Sequence, residues 1–140
     1  MPALTVFMRF LHIISAMALI GGALAWRCSA IPATASLAEE TRSKVQAAIA
    51  SAWRPFVLTA TLGVLVSGVF NFWRKVETTV LTPAYHSIFG IKVLLALHVL
   101  AAALIATNAD NRKRARQLTG VVISGVLIVI LSAVLRWLTQ

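Results

Sequence analysis

The chain has 140 residues, 59% of them hydrophobic and 12% charged, and a mean hydropathy of +0.87; soluble domains average roughly 45–50% apolar and about 25% charged. This excludes an ordinary water-soluble fold and points to an integral membrane protein in contact with a lipid bilayer. The formal net charge of +9 does not point to nucleic acid, because the basic residues stand at the borders of apolar runs and not along one solvated face.

Crossing ~30 Å of hydrocarbon takes about 20 mostly apolar residues. Four stretches qualify, at about 4–26, 56–73, 88–107 and 118–138. The expected fold is all-α, one transmembrane four-helix bundle. The first run is too long for a secretory signal and only Arg9 lies near its start, so it is read as a retained span. Next, Pro32 breaks the chain, and Ser36-Leu37-Ala38-Glu39 has the S-x-x-E spacing of a capping box. That spacing starts an amphipathic helix over about 36–50 that runs into the second span. Before the third span, Thr82-Pro83 supplies an N-cap oxygen and a proline whose missing N–H does no harm in the first turn.

With four spans, the first and third connections share one side of the membrane. That side carries Arg27, Arg42, Lys44, Arg54, Arg112, Lys113, Arg114 and Arg116, against Arg9, Arg74, Lys75 and Arg136 on the other. The positive-inside rule then leaves both termini non-cytoplasmic, in a bacterial-type inner membrane. Trp26 and Trp53 are expected at the inner interface, and Trp73, Tyr85 and Trp137 at the outer. Small and polar residues recur every four positions in span two, at Thr59, Gly63, Ser67 and Asn71, and on a similar stripe in span four, at Gly120, Ser124 and Ser132 with Ile128 between. Such stripes pack helices where lipid offers no hydrophobic drive, and shared small-residue faces also permit a homodimer or larger membrane complex.

Ionisable residues inside spans are costly and mark candidate sites. His12 lies about two turns into span one and His98 about three turns into span three. Their depths match, so if spans one and three adjoin, the two imidazoles can hold a haem b between them. Lys92 is turned about 120° from His98, onto the side of Tyr85, Phe89 and Val99; it either snorkels to the interface or neutralises an anionic group such as a haem propionate. Copper is the alternative, with Met8 sharing the face of His12 and His86 at the outer border. In the bland reading, His12 is a hydrogen-bonded link to Asn71 or Ser15, and the protein a cofactor-free structural or assembly subunit. Cys28 is the single cysteine, which leaves redox chemistry to a bound cofactor. The four acids, Glu39, Glu40, Glu77 and Asp110, lie outside the spans, and no complete catalytic motif is visible.

Leu11-His12-Ile13-Ile14-Ser15 with Gly21-Gly22 and Arg27, Leu65-Val66-Ser67-Gly68, and the run from Tyr85 through Gly90-Ile91-Lys92-Val93-Leu94 to Asn108 and Arg112–Arg116 resemble the copper-resistance D (CopD) membrane domain and the HemJ-type protoporphyrinogen oxidases. The resemblance spans most of the chain. It implies a four-helix bundle in which His12 and Lys92 stand at the haem and substrate positions of HemJ-type proteins, hence a haem-linked oxidoreductase. In a CopD-like protein it implies copper movement instead. Leu19 stands where both families show Trp, and no Asn-Glu-x-Pro precedes span four.

Overall fold

The computed structural model describes residues 2–78, 82–109 and 111–137; Asp110 and Leu138, the expected end of the fourth span, lie outside these. All regular structure among the described residues is helical: α1 (Pro2–Ala25), α2 (Glu39–Thr78), α3 (Pro83–Ala106) and α4 (Arg114–Trp137). Each is long and apolar enough to cross a membrane. Phe7, Phe10, Met17, Phe56, Leu62, Leu94 and Val129 are exposed on their outer faces, a surface that suits hydrocarbon and not water.

Past Ala25 the first helix continues through a π-helical segment, Trp26–Ala30, and a last turn, Ile31–Ala33. The Ile31 amide donates to the carbonyl of Trp26, five residues back. This wider turn immediately precedes Pro32, whose ring would otherwise press on the carbonyl of Cys28. The helix thus passes the proline by one residue. It ends where the Thr34 hydroxyl donates to the carbonyls of Ala30 and Ile31, at 2.9 and 3.1 Å.

α2 begins at Glu39, not at the capping box. Residues 34–37 still belong to the preceding turn, with the Leu37 amide donating to the Thr34 carbonyl, and the Glu39 carboxylate pairs with Arg42 in place of folding back on Ser36. The expected continuity into span two holds: the 40 residues of α2 extend about 60 Å, more than a bilayer requires. Its charged first part carries Glu39, Glu40, Arg42, Lys44 and Arg54, and the apolar part follows Pro55. α3 starts as its sequence predicts, Thr82 accepting from the Tyr85 amide at 3.3 Å with Pro83 in the first turn.

The helices pack in ring order. α1 lies on α2 and on α4, α3 lies on α4, and α2 touches α3 more sparsely. α1 and α3 therefore face each other across the bundle and are not neighbours. Glycines set the close contacts: a methyl on Gly22 would fall 1.5 Å from the Trp53 ring, one on Gly63 2.2 Å from Ser15 Oγ, and one on Gly125 2.7 Å from Ile20. The Gly63, Ser67 and Asn71 positions of the span-two stripe face α1, whereas Thr59 is exposed and bonds its own helix at the Pro55 carbonyl.

The arginine-rich end is closed by a polar knot. At the last carbonyls of α3, side chains add to the backbone turn: the Leu104 and Ile105 carbonyls accept the Thr107 and Asn108 amides and also the Thr107 hydroxyl and the Asn111 side-chain amide, and the Ala106 carbonyl accepts from Arg114. Arg114 is 6% exposed. It also donates to the carbonyls of Asn108 and Ala109 and lies 5.2 Å over the Trp26 ring, so a buried cation sits at a helix C-terminus, where the backbone dipole favours it. Trp26 is 3% exposed and bonds Gln46 at 3.1 Å. It is a core residue, as is Tyr85, whereas Trp73 and Trp137 are exposed.

Two stability predictions follow from these contacts. Gly22→Ala is expected to lower unfolding stability by about 1–3 kcal/mol by displacing Trp53, while Gly21→Ala, where nothing stands within 4 Å, leaves it unchanged or slightly higher; denaturant titration of the purified protein in detergent reads both. Arg114→Ala should cost roughly 1–3 kcal/mol by removing the donor to the carbonyl of buried Ala106, and Arg114→Lys should recover only part, since one ammonium cannot reproduce the guanidinium fork.

Candidate functional site

Where α2 and α3 part, the bundle encloses a cavity of about 680 Å³ lined by all four helices. Its walls are apolar, with Leu19, Ile20, Val64, Val69, Val99, Leu100 and Ile128. Its polar groups are His12, Asn71, Tyr85, Lys92 and Ser132 together with Arg9, Lys75 and Arg136. An apolar chamber with few convergent polar groups is the usual form of a small-molecule site.

His12 reaches the cavity from α1 at a depth of about 15 Å from the helix start, counted at 1.5 Å per residue. Its ring lies against Gly68, where a methyl would meet Cε1 at 3.3 Å, so the bare glycine lets the imidazole settle on α2. His12 Nδ1 is 3.0 Å from Ser67 Oγ. Ser67 is fully buried, and its one hydroxyl proton is directed to the Gly63 carbonyl. Which of Nδ1 and Oγ donates depends on the imidazole tautomer; with the Ser67 proton on a helix carbonyl, Nδ1 carries the imidazole proton and Nε2 keeps its lone pair. The expected partners take other roles: Asn71 donates to the Met8 carbonyl at 3.4 Å, and Ser15 packs on Gly63. Ser67, which the sequence offered only as part of a packing stripe, is the residue that orients His12.

Lys92 enters from α3 at nearly the depth of His12, about 14 Å from its helix start, and lines the same cavity with Tyr85, Phe89 and Val99, the side of α3 on which the helical spacing placed it. Three rings form one wall: Phe72 stacks on Phe89 at 4.4 Å and 13°, and Phe89 on Tyr85 at 6.0 Å and 8°. This stack joins α2 to α3 across their gap. Asn71 Oδ1 is buried there with no hydrogen-bond partner.

His98 is not brought to His12. It is exposed, is not among the residues lining the cavity, and rests against Gly120 on α4, 3.3 Å from where a methyl would stand. The reason is rotational: Lys92 and Val99 turn inward, so the position about 120° away turns outward, and α1 lies across the bundle. Met8 and His86 do not line the cavity either; His86 is exposed, edge-on to Tyr85 at 6.2 Å. Among the described residues no three His, Cys, Asp or Glu side chains converge.

No protein-family model matches the chain, and neither the curated proteins nor the solved structures show a match to it. The functional reading therefore rests on the site itself.

Ser67→Ala removes the acceptor that fixes the ring. In ¹⁵N-labelled protein in bicelles, wild-type His12 should show its proton on Nδ1, and the variant a mixture of tautomers with a stability loss of about 0.5–1.5 kcal/mol.

Proposed function

We propose that this chain is a small membrane protein that holds a haem b in the four-helix cavity, with His12 as its protein ligand, for electron transfer or porphyrin handling. The observation that supports the reading is the His12–Ser67 bond, which holds the ring at the wall of a cavity of about 680 Å³; with the proton on Nδ1, Nε2 would be free to ligate. The residues present fit the group in chemistry: an imidazole ligand, aromatic and aliphatic walls for a macrocycle, and Lys92 with neighbouring cations for acidic side groups. Haem bound there would supply one-electron redox chemistry. His12 would bind and orient it, the apolar walls would exclude water, and Lys92 would hold an acidic substituent. His98 is outside this set. In the proposed orientation the arginine-rich end faces the cytoplasm of a bacterial-type cell and the cavity mouth faces outward.

The competing reading draws on the same bond: His12 joins α1 to α2 as interhelical glue, and the protein is a cofactor-free subunit. The visible spectrum separates the two. On the haem reading the purified or haemin-reconstituted protein shows a Soret band that moves on dithionite reduction; His12→Ala abolishes it and His98→Ala leaves it unchanged. A protein that takes up no haemin, with His12→Ala losing only stability, supports the subunit. Loss of the band in His98→Ala would overturn the ligand assignment.

A further inference from the structure

Each helix sends one cation into the cavity: Arg9 from α1, Lys75 from α2, Lys92 from α3 and Arg136 from α4. At 1.5 Å per residue they stand at graded depths from this end of the bundle, Arg136 and Lys75 within about 5 Å of their helix ends, Arg9 and Lys92 about 10–14 Å inside. No acidic side chain among the described residues lines the chamber. The acid at this end, Glu77, is already engaged by Trp73 and Arg74, at 2.7 and 2.8 Å, and the ion pairs among the described residues do not include Arg9, Lys75 or Lys92.

Convergent like charges in a medium of low dielectric repel one another, and a lysine at membrane depth costs roughly 2.5–3.5 kcal/mol on insertion scales. A bundle held by small-residue contacts keeps such a set most readily where an anion completes it. The chamber behind the cations is apolar, and its thinnest wall is the α2–α3 gap bridged by Phe72 and Phe89.

We propose that the mouth of the cavity is an oxyanion subsite, in which Lys92, Arg9 and Lys75 take the carboxylate or phosphate groups of an apolar ligand that enters sideways between α2 and α3. The charge pattern demands the anion and the walls demand its apolar body. Two sources carry this chemistry: the acidic side groups of a ring-shaped ligand seated in the chamber, or the phosphate of an anionic lipid leaning in through the gap. The subsite rests on the haem reading only for the ring in the first source. It needs neither iron nor His12.

The test uses the full chain in nanodiscs of zwitterionic phosphatidylcholine, titrated with metal-free protoporphyrin IX and with its dimethyl ester, followed by porphyrin fluorescence. The dicarboxylate is expected to bind at least tenfold more tightly than the uncharged ester. Lys75→Gln, near its helix end, and Arg9→Gln, at an exposed position, should each weaken the dicarboxylate three- to tenfold and leave the ester unmoved. His12→Ala should not change the preference, which keeps a failure of iron ligation distinct from a failure of this subsite. Phosphatidylglycerol is then added. Retained preference for the dicarboxylate assigns the subsite to the ring ligand; competition by the lipid, lost in Lys75→Gln, assigns it to the lipid phosphate. Equal binding of acid and ester together with no effect of either glutamine variant on phosphatidylglycerol binding overturns the proposal.

Discussion

Close approach of α1 and α2 underlies the rest of this molecule. In lipid, apolar side chains gain little by leaving their surroundings for one another, so helices associate through short backbone distances and interhelical hydrogen bonds. Gly22 under Trp53 and Gly63 under Ser15 bring the two helices together. Only at that spacing can His12 rest on Gly68 and bond Ser67. The same contact that builds the bundle therefore also aims its intramembrane imidazole.

The two ends of the bundle handle positive charge in opposite ways. At one, Arg114 donates to the carbonyls of Ala106, Asn108 and Ala109 and lies over the Trp26 ring, so its charge meets backbone dipoles and the end is closed. At the other, cations line a cavity whose α2–α3 side is bridged by the Phe72–Phe89 stack. A closed end and an end with a cavity give the molecule a direction.

Much of the local structure was legible in the residues. Four apolar runs predicted four helices, Thr82-Pro83 predicted the start of α3, and helical spacing predicted that Lys92 shares a side with Tyr85, Phe89 and Val99. The S-x-x-E spacing misplaced the start of α2 by a few residues, because Thr34 holds the preceding turn and Arg42 takes the Glu39 carboxylate. Trp26 read as an interfacial anchor because its border position is compatible with either role; burial came from Arg114 and Gln46, which are distant in the chain. Ser67 carried a signal, its place in a four-residue stripe with Gly63 and Asn71, but a stripe does not say which neighbour it meets.

Sequence alone determined the medium, the number of helices and the rotational position of each side chain on its own helix, since hydropathy and the 3.6-residue turn are local properties. Tertiary structure decided which helices adjoin. Ring packing placed α1 across from α3, and with the rotation of α3 this left one of the two histidines on the cavity and the other exposed beside Gly120. Adjacency is set by small residues meeting across helices, a non-local fit that no one helix's periodicity contains.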